Sequence, residues 1–249
     1  MCRMLGLIDG AIDYNLLKDF QKLALVGKVK ANMDPGHSDG WGAAGLSKNK
    51  ATMFGKSKKS AAEDPDYDVA LNKAALCKTP ILIAHIRKAT SGSTSLENTH
   101  PFIKDGWIFS HNGTIHNSDD IEVGRLTPAG TTDSERFFYH CLRYINSTDS
   151  KKELGQSIKK AISEIKSKHD YSSLTFLLAN NKYLIAYRDY NADSENAADF
   201  ERYYTLYIAA QKDFITLCSE PIGLLSFSPF KNGQLLIASK SDIFETVLS

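Results

Sequence analysis

An α+β domain, with helices layered on antiparallel strands, is the fold class that the sequence predicts. Three observations predict it. Short apolar runs bounded by turn residues recur along the chain, as at 81–84 and 174–179. Amphipathic helical periodicities lie between them, around Leu16 to Ala24, from Asp133 onward, and over Lys151–Lys168. From Leu174 the strand-like runs follow one another across turns, which is the pattern of hairpins.

Taken in order, residues 4–8 form a short apolar run that predicts a buried strand. Leu16, Leu17, Phe20, Leu23 and Ala24 share one face of a helix that ends near Gly27. The segment 37–45, HSDGWGAAG, is dense in glycine and opens into a strand, so its backbone turns sharply or lies close to another part of the molecule. Residues 51–54 supply its hairpin partner, and Lys48, Lys50, Lys56, Lys58 and Lys59 around it read as a solvated edge kept from pairing. A helix is expected over 68–78. After Pro80 the apolar strand 81–84 runs into His85-Ile86-Arg87, and a polar loop over 90–101 leads to a second strand, 107–110, that ends in His111-Asn112-Gly113. Both strands deliver polar residues at one end. Asp133-Ser134-Glu135 begins a helix with Phe137, Phe138, Cys141, Leu142 and Ile145 inward, and a further helix spans Lys151–Lys168. Strands are expected at 174–179, 183–187, 203–209, 214–217 and 235–238. No repeat or Pro/Ser-rich linker divides the chain, so residues 1–249 are expected to form a single domain.

Composition narrows the function. With 30 basic and 29 acidic residues the formal charge is +1, which gives no electrostatic reason to expect a nucleic acid or a membrane surface as partner. A small molecule is the expected partner. The four cysteines, Cys2, Cys77, Cys141 and Cys218, form no Cys-x-x-Cys pair, which argues against a disulfide scaffold or a thiolate zinc site and for a reducing, cytoplasmic setting. Neither a signal peptide nor a membrane span is expected.

A cysteine in second position becomes the N-terminus when Met1 is removed. Thiol and α-amine then share one Cα, and an amine titrating near about 7.7–8.0 can take the thiol proton directly or through a water. The polar residues at the strand ends each have a structural reading: His85 as a hydrogen-bonded core histidine, Arg87 as an ion-pair partner, Asn112-Gly113 as a turn dipeptide, Asp133 as a helix N-cap. Together they supply a nucleophile, an oxyanion donor, a cation for a carboxylate and an anion for an ammonium, the set that hydrolysis of an amino-acid amide requires.

Cys2, DGWG at 39–42, AHIRKATSG at 84–92, NTHPF at 98–102, SHNGTI at 110–115 and TTDSE at 131–135, in this order and spacing, resemble the class II glutamine amidotransferase domain of the N-terminal-nucleophile hydrolases. The resemblance is specific from Cys2 to about residue 145 and continues more weakly to Ser219-Glu220-Pro221 and beyond. It implies a four-layer αββα sandwich with two antiparallel sheets. It further implies that Cys2 attacks the glutamine side-chain amide, that Asn112 and the Gly113 N–H hold the oxyanion, that Arg87 grips the substrate α-carboxylate and that Asp133 faces its α-ammonium. Thr90 and His100 match pocket-lining positions. Ammonia and glutamate would be the products, through a thioester, with no metal or cofactor.

Lys88 and Ser91 stand where synthase-fused members usually carry an aromatic residue and a histidine, and the DGWG segment is closer to free-standing members. That leaves the leaving group open, since free-standing relatives include hydrolases of γ-glutamyl amides and peptides, some working with a partner subunit. Two readings of other kinds remain beside it. One is a metallohydrolase built on His85, His100, His111 and His116, against which His85 and His111 have the plainer reading of ending neighbouring strands; the other is a non-catalytic partner subunit that binds glutamine or a γ-glutamyl compound. Neither His-x-x-x-His nor a flanking carboxylate spacing favours the first.

Overall fold

The computed structural model describes residues 2–8, 14–30, 33–48, 50–89, 93–145, 150–211, 214–240 and 242–248. In chain order the elements are β1 (Arg3–Ile8), α1 (Tyr14–Val26), β2 (Trp41–Ser47), β3 (Lys50–Ser57), α2 (Pro65–Leu76), β4 (Ile81–Ile86), β5 (Phe102–Lys104), β6 (Trp107–Asn112), α3 (Asp133–Tyr144), α4 (Lys151–Lys168), β7 (Thr175–Ala179), β8 (Leu184–Tyr187), α5 (Ala197–Tyr203), β9 (Tyr207–Gln211), β10 (Phe214–Cys218), β11 (Ser228–Pro229), β12 (Gln234–Ser239) and β13 (Asp242–Val247). One sheet has the order β11-β9-β10-β1-β4-β2-β3 and the other β13-β12-β8-β7-β6-β5, every pairing antiparallel.

The side-chain period of two sorts each strand between two cores. On β1, Leu5 and Leu7 join Leu17 and Phe20 of α1 and Tyr67 and Leu71 of α2 on the outer face. Met4 and Ile8 point the other way, to a core between the sheets with Ile83, Ile108, Leu177 and Leu236. The second sheet repeats the scheme: Phe109 and Phe176 pack on Phe137 and Phe138 of α3 and on Ile158 and Ile162 of α4. Helices, sheet, sheet, helices are thus four layers with three apolar seams. Fully burying one Leu or Phe contributes roughly 1.5–3 kcal/mol, so these seams hold the sheets face to face.

Several expected boundaries shift for identifiable reasons. The helix expected over 68–78 begins at Pro65, because the Asp64 carboxylate caps it, accepting the Asp66 N–H at 3.2 Å, with proline in the first turn where no N–H is needed. The strand expected over 203–209 is the end of α5 followed by β9; Tyr203 and Tyr204 are core residues of that turn rather than a strand face. Leu142 and Ile145 are only partly buried against the α3 core. Edge strand β13, half-exposed along its length, has too weak an alternation to have been read. On the lysine-rich edge strand β3, Lys56 departs from the solvated expectation: it lies over the Phe102 ring at 5.4 Å, and burial pulls its ammonium down to about 8.

Candidate functional site

The ends of β1, β4 and β6 meet at one end of the seam between the sheets. Alternation fixes which side chains reach it. Cys2 has the parity of Met4, and Asn112 that of Ile108, so both face the inter-sheet side from opposite sheets. They touch: the Cys2 N–H donates to Asn112 Oδ1 at 3.1 Å, and the Cys2 thiol lies 3.9 Å from the Lys88 carbonyl. This bond assigns the amide orientation, leaving Nδ2 as a buried donor without a hydrogen-bond partner among the described residues. Buried polar groups are normally satisfied, so an orphan donor beside a cysteine is available for a ligand oxygen.

Asn112 and Gly113 do not form the expected turn: Asn112 closes β6 and pairs with Thr175 of β7, and Gly113 is not among the residues with left-handed backbone. A glycine is needed there for space, because a Cβ would sit 1.9 Å from the Ser173 carbonyl. Ser173 also donates its hydroxyl to the Asn112 carbonyl at 2.9 Å. Two residues on, the Ile115 N–H donates to Asp133 Oδ2 at 2.8 Å. Asp133 is buried in the first turn of α3, but the N-cap is Thr132, whose hydroxyl accepts the Glu135 N–H at 3.2 Å. The cap therefore leaves one Asp133 carboxylate oxygen outside these bonds, at the positive end of a helix.

Arg87 follows β4 and is buried, with Nη1 donating to the Ser93 carbonyl at 3.3 Å. Its backbone is held by the glycine-rich segment: its N–H donates to the Gly40 carbonyl at 2.8 Å and its carbonyl accepts the Asp39 N–H at 3.1 Å. The Asp39 carboxylate takes the Ala89 N–H at 2.8 Å. Asn98 then joins two loops, donating to the Ser93 carbonyl at 3.1 Å and accepting the Thr131 N–H at 2.8 Å. Cys2 is thus bonded to Asn112, Asp133 to the Ile115 backbone, and the loop that holds Arg87 is tied through Asn98 to the loop before α3. Thr90 lies outside the described residues.

His85 and His100 are buried with ring centroids 4.3 Å apart and planes tilted by 31°; no ring nitrogen of either has a hydrogen-bond partner among the described residues. Burial holds both well below the usual histidine range, and Arg87 beside His85 adds to it there. His37 is pushed down to about 3 by burial, then by Arg3 and Lys88. Gly42 lets the His100 loop approach, since a Cβ there would lie 2.3 Å from the His100 carbonyl. His85 and His111 end strands of different sheets, not neighbours in one. His111 spends both ring nitrogens, Nε2 on the Ser173 carbonyl at 3.0 Å and Nδ1 on the Ser134 hydroxyl at 2.9 Å, so it has no lone pair left for a metal. Among the described residues no three His, Cys, Asp or Glu side chains are grouped to hold a metal ion.

The sequence reading missed Arg3 and left Glu220 without a role. Arg3 is fully buried, its Nη1 donating to the Cys2 carbonyl at 3.0 Å and its Nε paired with Glu220 at 2.6 Å. The signal was a charged residue opening an otherwise apolar, central strand.

The family model described as glutamine amidotransferases class-II matches residues 1–202. A Haemophilus influenzae protein named "Putative glutamine amidotransferase" is 35% identical over 192 residues, 75% of this chain and 63% of that one. An Escherichia coli protein of the same description, YafJ, is 29% identical over 166 residues, covering 61% of this chain and 60% of that one. This chain thus spans less than two thirds of either relative. Among solved structures, the glutamine phosphoribosylpyrophosphate amidotransferase of B. subtilis superposes with a TM-score of 0.68 at 18% identity, over all of this chain and 49% of that one. A glutamine aminotransferase class-II domain protein from Silicibacter pomeroyi gives 0.65 at 16% over the whole of both chains. The structures share the fold, antiparallel sheets between helical layers. With the family model spanning most of its length, the chain belongs to the class II glutamine amidotransferases.

Proposed function

We propose that the chain hydrolyses the γ-amide of glutamine by nucleophilic catalysis from Cys2 after removal of Met1. The α-amine takes the thiol proton and the thiolate attacks the amide carbon. The oxyanion so formed accepts hydrogen bonds from Asn112 Nδ2 and the Gly113 N–H. Collapse expels ammonia, which leaves with the proton returned by the amine, and a thioester remains. Water, deprotonated by the same amine, attacks that thioester; its collapse returns the thiol and releases glutamate.

Arg87 takes the substrate α-carboxylate, whose two oxygens match a planar guanidinium. Asp133 takes the α-ammonium with the carboxylate oxygen that Ile115 leaves open. Thr90 lines the pocket, and His100 orders its loop through its contact with His85. The ammonia goes to water or to an acceptor on a partner protein, and the domain works as one unit over 1–249 in a reducing, cytoplasmic setting.

The observation that carries this reading is the 3.1 Å bond from the Cys2 N–H to Asn112 Oδ1, which leaves the opposite end of the amide as a buried donor without a partner among the described residues. A pure binding protein needs the cation and the carboxylate but not that pair. The test is release of ammonia and glutamate from glutamine, and of glutamate from a γ-glutamyl peptide, by protein whose intact mass lacks Met1. Turnover that vanishes in Cys2→Ala is expected, and the preferred substrate names the leaving group. Tight glutamine binding without turnover in the Met1-free protein would overturn the catalytic reading.

A further inference from the structure

Burying an ion pair costs several kcal/mol per ion in solvation, and packing alone would be served by an apolar side chain. Arg3 is nonetheless fully buried directly after the nucleophile. Its guanidinium is held at three points: Nη1 donates to the Cys2 carbonyl at 3.0 Å, Nη2 to the Lys28 carbonyl, and Nε lies 2.6 Å from Glu220 Oε1 as an ion pair. The Tyr203 ring covers it at 4.4 Å. Glu220 Oε1 is itself fixed by the Lys28 N–H at 2.7 Å, and its neighbour Ser219 exchanges two bonds with the Met4 backbone, at 2.9 and 3.0 Å.

From this geometry, and resting on the reaction proposed above, we propose that Arg3, anchored by Glu220, is a positioning residue that fixes the Cys2 backbone and favours its proton-poor amine and thiolate. The cation is bonded directly to the Cys2 carbonyl, and the carboxylate reaches Cys2 only through it. The cation's charge attracts a thiolate and repels an ammonium on that same residue. The other charged or titratable groups facing this end are His37 before β2, His85, Arg87 and Lys88 at the end of β4, Asp133 on α3, and Tyr203 and Tyr204 at the end of α5. Burial keeps the histidines and both tyrosines uncharged. Arg3 and Glu220 are the bonded pair of opposite charges behind the nucleophile.

The test measures the rate of Cys2 alkylation by iodoacetamide against pH in Met1-free protein, with peptide mass mapping to separate Cys2 from the exposed Cys77. The midpoint should rise by about one pH unit in Arg3→Met. It should fall in Glu220→Gln and stay near wild type in Arg3→Lys. Midpoints that do not move, or that move the same way in Arg3→Met and Glu220→Gln, overturn the assignment. Should Arg3→Met fail to fold, the downward shift in Glu220→Gln decides alone. The readout needs no glutamine turnover, so a glutaminase assay of the same samples judges the proposed reaction separately.

Discussion

Asn112 is the residue on which the two sheets agree. Its carbonyl oxygen end takes the Cys2 N–H and its nitrogen end has no partner among the described residues, so one amide both holds the Cys2 backbone and presents a donor. Asn112→Asp keeps the acceptor and removes the donor, while Asn112→Ala removes both. Each is expected to lower kcat on glutamine by roughly 10²–10³, about 2.7–4 kcal/mol of transition-state stabilisation, with KM little changed. An Asn112→Asp enzyme of near-normal kcat would show that Nδ2 is not an oxyanion donor. At this scale the sequence was informative about proximity: Cys2 and Asn112, singled out in motifs far apart in the chain, are joined by a hydrogen bond. It was silent on Arg3, because the burial that gives that side chain its meaning depends on Glu220, more than two hundred positions away. A helix N-cap was the structural reading of Asp133 set beside a binding one; Thr132, one residue earlier, takes the cap position.

Among the elements, β6 and β7 carry the tightest steric constraint. Gly113 lies against the Ser173 carbonyl and, at 2.6 Å from its Cβ position, against His111 Nε2, which is itself bonded to that same carbonyl. Neither neighbour is the loose end of a flexible side chain, so Gly113→Ala has to push the strands apart. A loss of at least about 1–3 kcal/mol is expected, read as a lower urea midpoint with an unchanged m-value. A wild-type midpoint would mean that the end of β6 has room the geometry denies. Long periodic elements such as α4 were readable from sequence because many residues vote for one face. The start of α2 was not, though Asp64-Pro65 is a strong cap signature; the apolar pattern begins later than the cap. Three-residue β5 and edge strand β13 have no period to detect, and only pairing with β6 and β12 makes them strands.

For the molecule as a whole, five histidines, His37, His85, His100, His111 and His140, are held below their ordinary titration, burial being the largest cause at each. In the unfolded chain each takes a proton near pH 6.5, so below that pH the unfolded state binds more protons than the folded one. Stability is therefore full above about pH 7 and falls on acidification, by up to about 1.4 kcal/mol per pH unit for each histidine so affected. Urea titrations at pH 7.5, 6.5 and 5.5 should give a steeply falling unfolding free energy; a flat profile would mean that these rings are charged or hydrated in the fold. The α+β class was legible from alternating strands and helices, whereas the division of strands between two sheets was not, because pairing partners are far apart in sequence. That separation is greatest for β1, which lies between β4 and β10 in the middle of its sheet. Its register with β10 joins Leu5 to Cys218, so the first strand to be synthesised waits for nearly the whole chain before its second neighbour exists. During translation Cys2, directly before β1, is thus open to solvent and to modifying enzymes for as long as β10 is unmade, and is buried only as the sheet closes.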